Sequence, residues 1–240
     1  MEFEKPEFDF NKSVETTAMS RGNFNSKWDY IKSISRWHFN PWRKETEAFK
    51  VFLNIRGDWQ KELDELNYEI KVGISNYVHN GKTGDDLIEK DFLSWGYKKS
   101  MTQYDRTYQI PDKLMKIAEQ LHLKHPDVRI HKENPGEVSP IHADMYCSHP
   151  AVAKDPSLDL SKMQRFVIQL TDWDWGHFWS FGNTPWVQWR AGDVASFHSR
   201  DIIHCAANAG RKPRITMIVT GWMTDKTKEL IAGGPTTINI

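Results

Sequence analysis

The sequence predicts an α+β protein in which helices from the first half buttress a β-rich second half. In the first half, apolar residues recur at helical spacing over residues 58–71 and 112–123. After Pro126 the pattern changes, and apolar residues alternate with polar ones in short stretches separated by turns. Short strands and turns at this density indicate a β-sandwich or a barrel.

Two amphipathic helices are predicted before the β-rich part. The first covers roughly residues 58–71, where the apolar stripe is Trp59, Leu63, Leu66 and Ile70 and the remaining positions are largely acidic. The second covers roughly 112–123, because Pro111 and Asp112 form a start signal ahead of a stripe of Leu114, Ile117, Ala118 and Leu121. These helices supply the apolar faces that would cover one sheet.

The second half carries four alternating stretches. They begin at Val128, Phe166, Val194 and Arg214, and the last of them continues for nine residues to Trp222. The turn Asn134-Pro135-Gly136 follows the first stretch. This part of the chain is therefore expected to form the β core.

Composition excludes several classes of protein. The 240 residues contain 32 Lys plus Arg and 32 Asp plus Glu, so no net charge draws the chain to a polyanion. Two cysteines, Cys147 and Cys205, cannot build a disulfide framework or a Cys-rich zinc module. No apolar run reaches membrane-spanning length, and the acidic start does not resemble a signal peptide. We expect a cytoplasmic protein with no membrane partner.

One local segment, residues 21–44, is basic and aromatic. Its cations are Arg21, Lys27, Lys32, Arg36, Arg43 and Lys44, interleaved with Trp28, Tyr30, Trp37, Phe39 and Trp42. Such a segment can stack bases and neutralise phosphates, as single-strand binders do. More often it packs its aromatic rings on the domain, and the zero net charge favours this reading over a nucleic-acid partner.

The strongest chemical signal is the motif His142-Ala143-Asp144. In an extended chain, residues two apart point the same way, so His142 and Asp144 can occupy adjacent positions around one metal ion. His204 lies 60 residues after Asp144 and offers a third ligand. Two histidines and one carboxylate form the face that suits non-haem Fe(II), although zinc enzymes also keep an open position.

Arg214 favours an oxygenase. It follows His204 by ten positions, and Thr216 shares its strand face. A guanidinium deep in a barrel needs an anionic partner. A dicarboxylic acid that chelates the metal through its 2-oxo acid end would place its far carboxylate against such a fork.

With these residues in place, the chain resembles the Fe(II)/2-oxoglutarate-dependent oxygenases over roughly residues 126–222. It looks most like the aspartyl/asparaginyl β-hydroxylase-like branch, which includes free-proline hydroxylases. The stretches that carry the resemblance are VRIHKENPGEVSPIHADMY, RFVIQL and GDVASFHSRDIIHCAANAGRKPRITMIVTG, in that order. The resemblance implies a double-stranded β-helix, the jelly-roll or cupin-like fold.

The resemblance also implies roles for individual residues. His142, Asp144 and His204 would bind Fe(II), and Arg214, with Thr216, would bind the distal carboxylate of the co-substrate 2-oxoglutarate. Asp144 is present as in the small-molecule hydroxylases, whereas some protein-hydroxylating members lack this ligand. The chain has Val167 where several relatives place a second His after the Arg of RFVIQL.

Three further predictions concern neighbouring residues. Arg165 is a candidate contact for a substrate or co-substrate carboxylate, with a surface ion pair as the alternative. Trp179 belongs to a tryptophan-rich segment, 173–189, that either walls the substrate or packs the barrel. His198 competes with His204 as a ligand, and we favour His204 because of its spacing to Arg214.

The resulting hypothesis is a dioxygenase that hydroxylates an unactivated carbon of a small polar molecule or an amino-acid or peptide side chain. Residues 1–26 would be an extended or partly ordered arm, and 27–240 a single catalytic domain with a helical buttress (27–125) and a jelly-roll core (126–225). Two alternatives remain: a non-catalytic metal-binding cupin-like module, and a nucleic-acid base oxygenase that uses residues 21–44.

Overall fold

The computed structural model describes residues 49–72, 78–79, 82–83, 93, 95–142, 144, 146, 149–155, 157–182, 184–200 and 202–240. The predicted arm (1–26) and the basic-aromatic segment (21–44) lie outside these residues. Among the described residues, no helix is both long and apolar enough to cross a bilayer.

Strands dominate the described chain. They are β1 (Lys50–Arg56), β2 (Ile70–Val72), β3 (Val78–His79), β4 (Lys82–Thr83), β5 (Tyr104–Thr107), β6 (Lys124–Glu133), β7 (Val138–His142), β8 (Met163–Gln169), β9 (His177–Phe181), β10 (Thr184–Trp186), β11 (Asp193–Phe197), β12 (His204–Asn208), β13 (Arg214–Trp222) and β14 (Thr236–Asn239). The α-helices are α1 (Gln60–Asp64), α2 (Asp112–Glu119), α3 (Pro150–Lys154) and α4 (Asp225–Ala232), with 3-10 turns at Lys99–Thr102 and Leu160–Lys162.

Strands β6 to β13 form a jelly roll, as predicted. An eight-stranded sheet has the order β14-β1-β11-β8-β13-β6-β5-β2, and a four-stranded sheet has the order β10-β9-β12-β7. The chain therefore crosses repeatedly between the sheets, with β6, β8, β11 and β13 in the large sheet and β7, β9, β10 and β12 in the small one. This winding of antiparallel strands is the double-stranded β-helix.

The large sheet buries both of its faces. On the outer face, Ile130, Phe166 and Met217 belong to a core cluster shared with Leu114 and Ile117 of α2. On the inner face, Val167 and Ile218 belong to a second cluster that includes rings of the small sheet, Trp179, Phe181 and Trp186. Because successive side chains of a strand point to opposite faces of the sheet, one set packs in the outer core and the other set packs in the inner core.

The described part of the first half of the chain is less helical than predicted. The expected helix over 58–71 is wrong in extent, because α1 covers only Gln60–Asp64 and residues 70–72 form β2. The second expected helix is confirmed in place as α2, four residues shorter at its end. Strands β1, β2 and β5 join the large sheet, so the described part of the buttress adds strands as well as helices. Pairing with β5 provides backbone partners that the helical pattern at Ile70 does not reveal.

The first strand is tied closely to the jelly roll. β1 pairs with β11 on one side and with the C-terminal β14 on the other. Gly192 precedes β11 with φ of +86°, and a Cβ at this position would lie 1.6 Å from the carbonyl oxygen of Ile55. Only glycine fits such a close backbone approach in the left-handed region.

Candidate metal centre

The three predicted metal ligands meet at the end of the small sheet. His142 is the last residue of β7, His204 is the first residue of β12, and the two are register partners across the ladder. Asp144 follows β7 by two residues, and its backbone N–H donates to the carbonyl oxygen of Ser199 at 2.8 Å. The hydrogen bond to Ser199 brings the carboxylate back over the strand ends beside both imidazoles.

The donor atoms lie close enough to share one ion. One ligand atom from each of the three residues lies within 4.8 Å of the others. Nε2 of His142 is 3.9 Å from Oδ1 of Asp144, and Nε2 of His204 is 3.7 Å from its Oδ2. Asp144 and His204 are buried, and Oδ2 of Asp144 has no hydrogen-bond partner in the described part of the chain. A buried carboxylate oxygen without a hydrogen bond is costly unless a cation binds it.

Both imidazole rings are oriented through their second nitrogen. Nδ1 of His142 lies 2.7 Å from the carbonyl oxygen of Pro140, and Nδ1 of His204 lies 3.0 Å from that of Ile202. A carbonyl only accepts, so each neutral ring must carry its proton on Nδ1. Nε2 is then the unprotonated nitrogen, and it faces Asp144. Metal-binding histidines are commonly oriented by such hydrogen bonds.

Asp144 is held in its charged form by its neighbours. Burial alone would raise the pKa of this carboxyl, but the guanidinium of Arg165 and the imidazoles of His204 and His142 outweigh it and lower the pKa below its ordinary value. Nη1 of Arg165 donates to Oδ1 of Asp144, and Nε donates to Oγ1 of Thr220 at 3.1 Å. Arg165 therefore contacts a predicted metal ligand, instead of forming a surface ion pair.

This donor set fits a divalent cation with an open coordination sphere. Two imidazole nitrogens and one carboxylate oxygen on one side leave the remaining positions for exogenous ligands, as in non-haem Fe(II) sites. Zinc accepts the same three donors with one open position. The unsatisfied oxygen of Asp144 and the two Nε2 atoms are the features that fit a metal here.

Arg214 lies deep in the barrel. Its side chain is 2% exposed, and Nη2 is 2.5 Å from Oε2 of Glu133, its register partner on β6. Nη1 donates to Oγ1 of Thr216 at 3.0 Å, and that hydroxyl donates to Oε1 of Gln169 at 3.0 Å. Glu133 thus supplies an anionic partner for the buried guanidinium of Arg214 from within the chain.

Arg214 and two of its neighbours carry hydrogen-bond donors that have no partner among the described residues. Nε of Arg214, Nε2 of Gln169 and Nε1 of Trp179 are buried and have no hydrogen-bond partner within the described residues. The guanidinium carbon of Arg214 lies 5.1 Å from the centre of the Trp179 ring, and that ring stacks with His204 at 6.4 Å. Trp179 therefore links the predicted metal ligands to a group of donors that suits an anionic oxygen ligand.

The structure also locates the other predicted residues. His198 is exposed and follows the end of β11, and it does not belong to the ligand cluster of His142, Asp144 and His204. Within the tryptophan-rich segment, Trp186 and Trp189 join Trp179 in the inner core, whereas Trp175 is 76% exposed. Packing thus accounts for much of this segment.

Sequence reasoning missed two residues of the Arg214 cluster. Glu133 and Gln169 are 4% and 0% exposed and contact Arg214 or its partner Thr216. Their strand alternation was a usable signal, since Glu133 shares a face with Arg129 and His131, and Gln169 shares one with Arg165. Assigning partners across the sheet required the register.

No protein family model matches the chain, and no curated protein shows significant similarity. Solved structures with a similar fold include the non-heme alpha ketoglutarate dependent carbocyclase SnoK from nogalamycin biosynthesis, with 18% identity, 57% of this chain and 72% of that one covered, and a TM-score of 0.38. The epimerase SnoN from the same biosynthesis has 14% identity, with 52% and 63% covered, at 0.37. A Cupin 2 conserved barrel domain protein from Salinispora arenicola has 12% identity, with 54% and 84% covered, at 0.30.

These scores and identities are low, so the neighbours carry no argument about chemistry. The fold assignment rests on the strand order, and the metal site rests on its own geometry. The chain is a double-stranded β-helix protein with a candidate site of two histidines and one aspartate at the mouth of its barrel.

Proposed function

We propose that this protein is an Fe(II)- and 2-oxoglutarate-dependent dioxygenase that hydroxylates an unactivated carbon of a small polar molecule or an amino-acid side chain. The observation that carries the proposal is the cluster of His142, Asp144 and His204, whose ligand atoms lie within 4.8 Å of one another. Three ligands on one side leave room for a chelating co-substrate and for dioxygen.

The chain's own residues orient this site. The carbonyls of Pro140 and Ile202 fix the tautomer of the two imidazoles, so that Nε2 of each ring is ready to bind a metal. Arg165 keeps Asp144 ionised. When bound, Fe(II) with 2-oxoglutarate and dioxygen would supply the oxidation of a C–H bond, with succinate and carbon dioxide as co-products.

The donors around Arg214 support 2-oxoglutarate as the co-substrate. Nε of Arg214 and Nε1 of Trp179 are buried donors that a carboxylate would satisfy. Trp179 contacts both His204 and Arg214, so a molecule that chelates at the ligands would reach Arg214 along this ring. Thr216 holds the guanidinium in place through Nη1. Such a carboxylate would gain a charge-assisted hydrogen bond in a site with little water.

Apolar rings around the ligands would keep water away from the reacting atoms. The ring of Phe197 packs edge-on against His204 at 4.8 Å, and it also contacts Phe181 at 4.5 Å. The guanidinium carbon of Arg165 lies 5.4 Å from the centre of the Tyr146 ring, and Arg165, which donates to Asp144, would face a substrate. We assign Arg165 as the residue that meets a polar or carboxylated substrate.

Two alternative functions make different demands on the chain. A non-catalytic cupin-like module that binds zinc or manganese needs the three ligands but has no use for the unsatisfied donors at Arg214. A nucleic-acid base oxygenase would depend on the basic-aromatic segment 21–44 to hold an unstacked strand. The Arg214 cluster favours the 2-oxoglutarate-dependent enzyme over the module.

The test is anaerobic addition of Fe(II) and then 2-oxoglutarate to the metal-free protein. A chelate at this site is expected to give a weak visible charge-transfer band, and admission of oxygen is expected to give slow succinate release. Asp144→Ala serves as the matched control, because it removes one ligand and keeps the barrel. Equal binding of zinc with no band and no succinate would favour the non-catalytic module.

A further inference from the structure

The buried carboxylate of Glu133 already contacts one nitrogen of the Arg214 guanidinium. Oε2 of Glu133 lies 2.5 Å from Nη2 of Arg214, and their side chains are 5% and 2% exposed. The two residues are register partners on β6 and β13, so the ladder itself places them side by side. The proposed metal chemistry gives Glu133 no role.

We propose that Glu133 is a specificity-determining residue that competes with the distal carboxylate of the co-substrate for Arg214. The inference rests on the proposed function and extends it. Glu133 would weaken the binding of 2-oxo acids that end in a carboxylate, so that turnover depends on a high concentration of 2-oxoglutarate.

The geometry of the guanidinium supports shared occupation. Glu133 contacts Nη2, and Thr216 accepts from Nη1, whereas Nε has no hydrogen-bond partner in the described structure. A planar guanidinium can bind carboxylates along two different edges. An incoming carboxylate would therefore bind Nε–H through one oxygen while Glu133 keeps its contact with Nη2.

Two carboxylates on one guanidinium repel each other. The surroundings are poorly hydrated, because Gln169, Thr216 and Arg214 are all at most 2% exposed. Charges in such a site are weakly screened. One positive charge then neutralises only one of the two negative charges, and the second carboxylate binds less tightly than it would to an uncompensated arginine.

The electrostatic repulsion from Glu133 weakens only 2-oxo acids that carry a carboxylate at the end distal to the metal. A 2-oxo acid without that group, such as 2-oxobutyrate, would chelate the metal without meeting Glu133. Glu133 should therefore reduce the preference of the wild-type protein for 2-oxoglutarate over 2-oxobutyrate. Neutralising Glu133 should restore the discrimination.

The experiment compares Glu133→Gln with the wild-type protein in anaerobic titrations of the Fe(II)-loaded form. Glutamine keeps the shape of the side chain and removes its charge. We expect Glu133→Gln to bind 2-oxoglutarate about tenfold more tightly and 2-oxobutyrate equally well. The ratio of the two dissociation constants is the primary readout, because partial misfolding of a variant affects both constants alike.

Glu137→Gln is the matched control. Glu137 is a buried carboxylate four residues after Glu133, in the connection between β6 and β7, but it pairs with Lys71 at 3.1 Å. It should leave the ratio unchanged.

Three outcomes of these titrations would contradict the role of Glu133, and one of them would also contradict the proposed co-substrate. An unchanged ratio in Glu133→Gln, with 2-oxoglutarate still binding, would overturn the role of Glu133 and leave the proposed function intact. A weaker affinity for 2-oxoglutarate would also overturn it, since Glu133 would then assist binding. Metal-loaded protein that binds neither acid in any variant would refute the proposed co-substrate, and this inference with it.

Discussion

His142 and His204 face each other across the β7–β12 ladder, with ring centres 4.3 Å apart. Each ring is hydrogen-bonded through Nδ1 to the carbonyl oxygen two residues before it. Because both rings are fixed in the same tautomer, both Nε2 atoms are set for one metal ion. This pairing ties metal binding to the register of the small sheet.

Removing any of the three ligands should abolish stoichiometric Fe(II) binding. The variants are His142→Ala, Asp144→Ala and His204→Ala, and each leaves two donors where an open site needs three. Metal analysis of the purified proteins after Fe(II) loading measures the effect. His198→Ala is the control and should keep its iron, because His198 is exposed and lies outside the ligand cluster. Loss of iron from His198→Ala with retention in His204→Ala would reverse the ligand assignment.

Arg214→Gln should keep the metal and weaken 2-oxoglutarate binding by about 100-fold, because the distal carboxylate loses its charge partner. Arg214→Lys should restore the affinity only in part, since a lysine cannot form the planar two-pronged contact. Arg214→Gln also leaves Glu133 buried without a cationic partner, so a loss of about 3 kcal/mol in its free energy of unfolding is expected. Anaerobic titration and denaturant unfolding measure the two effects. Wild-type affinity in Arg214→Gln would remove Arg214 from the co-substrate site.

Because of His131, the free energy of unfolding should decrease as the pH falls. Burial and the charges of Arg106, Arg129, Arg165 and Arg214 hold the pKa of His131 well below its ordinary 6.5. Nε2 of the neutral ring accepts a hydrogen bond from Nε of Arg106 at 3.1 Å. Below about pH 6.5 the unfolded chain takes up a proton that the folded protein refuses, so the free energy of unfolding falls by up to about 1.4 kcal/mol per pH unit until the folded pKa is reached.

His131→Gln tests this dependence, because an amide oxygen can accept the same hydrogen bond without titrating. Unfolding by denaturant, measured between about pH 5 and pH 7, should show a shallower slope in the variant. Part of the slope will remain, since burial also lowers the pKa of His149 and His177. His122→Gln at an exposed position is the control. An unchanged slope in His131→Gln would mean that His131 titrates alike in the folded and unfolded states.

Substitutions at two glycines allow the cost of backbone strain to be measured apart from the cost of a steric collision. Gly136 and Gly192 both have φ of +86°, but an added Cβ meets nothing within 4 Å at Gly136 and lies 1.6 Å from the Ile55 carbonyl oxygen at Gly192. Gly136→Ala should cost about 1 kcal/mol from strain alone. Gly192→Ala should cost about 3 kcal/mol or more, because β1 must also shift. Equal losses in the free energy of unfolding would contradict the close approach of β1.

Substrate stimulation of succinate release should depend little on salt. A carboxylated substrate would meet a partly buried guanidinium at Arg165, where screening is weak. A panel of free amino acids, peptides and oligonucleotides, each at low and moderate salt, provides the measurement. Strong stimulation by an oligonucleotide that is lost when Lys27, Lys32, Arg36, Arg43 and Lys44 are neutralised would favour the nucleic-acid base oxygenase instead.

The strands and the grouping of the three candidate metal ligands were predictable because their signals are local. The alternation from Arg214 to Trp222 corresponds to β13 residue for residue, and the alternation from Arg165 to Leu170 lies within β8 except for its last residue. The spacing of His142 and Asp144 needs only an extended chain to place both side chains together. The helix over 58–71 was overpredicted, because Ile70 pairs with Arg106 of β5, and tertiary pairing outweighs a weak helical preference there.

The sequence by itself determined the β-rich second half, the two-histidine and aspartate motif, and the candidate arginine, since each depends on residue type and short-range spacing. Only the tertiary structure decided which groups face one another across the barrel. It paired Arg165 with Asp144, placed Trp179 between His204 and Arg214, and set Glu133 against Arg214. Such contacts depend on strand register and on how the two sheets stack, and many long-range interactions fix them together.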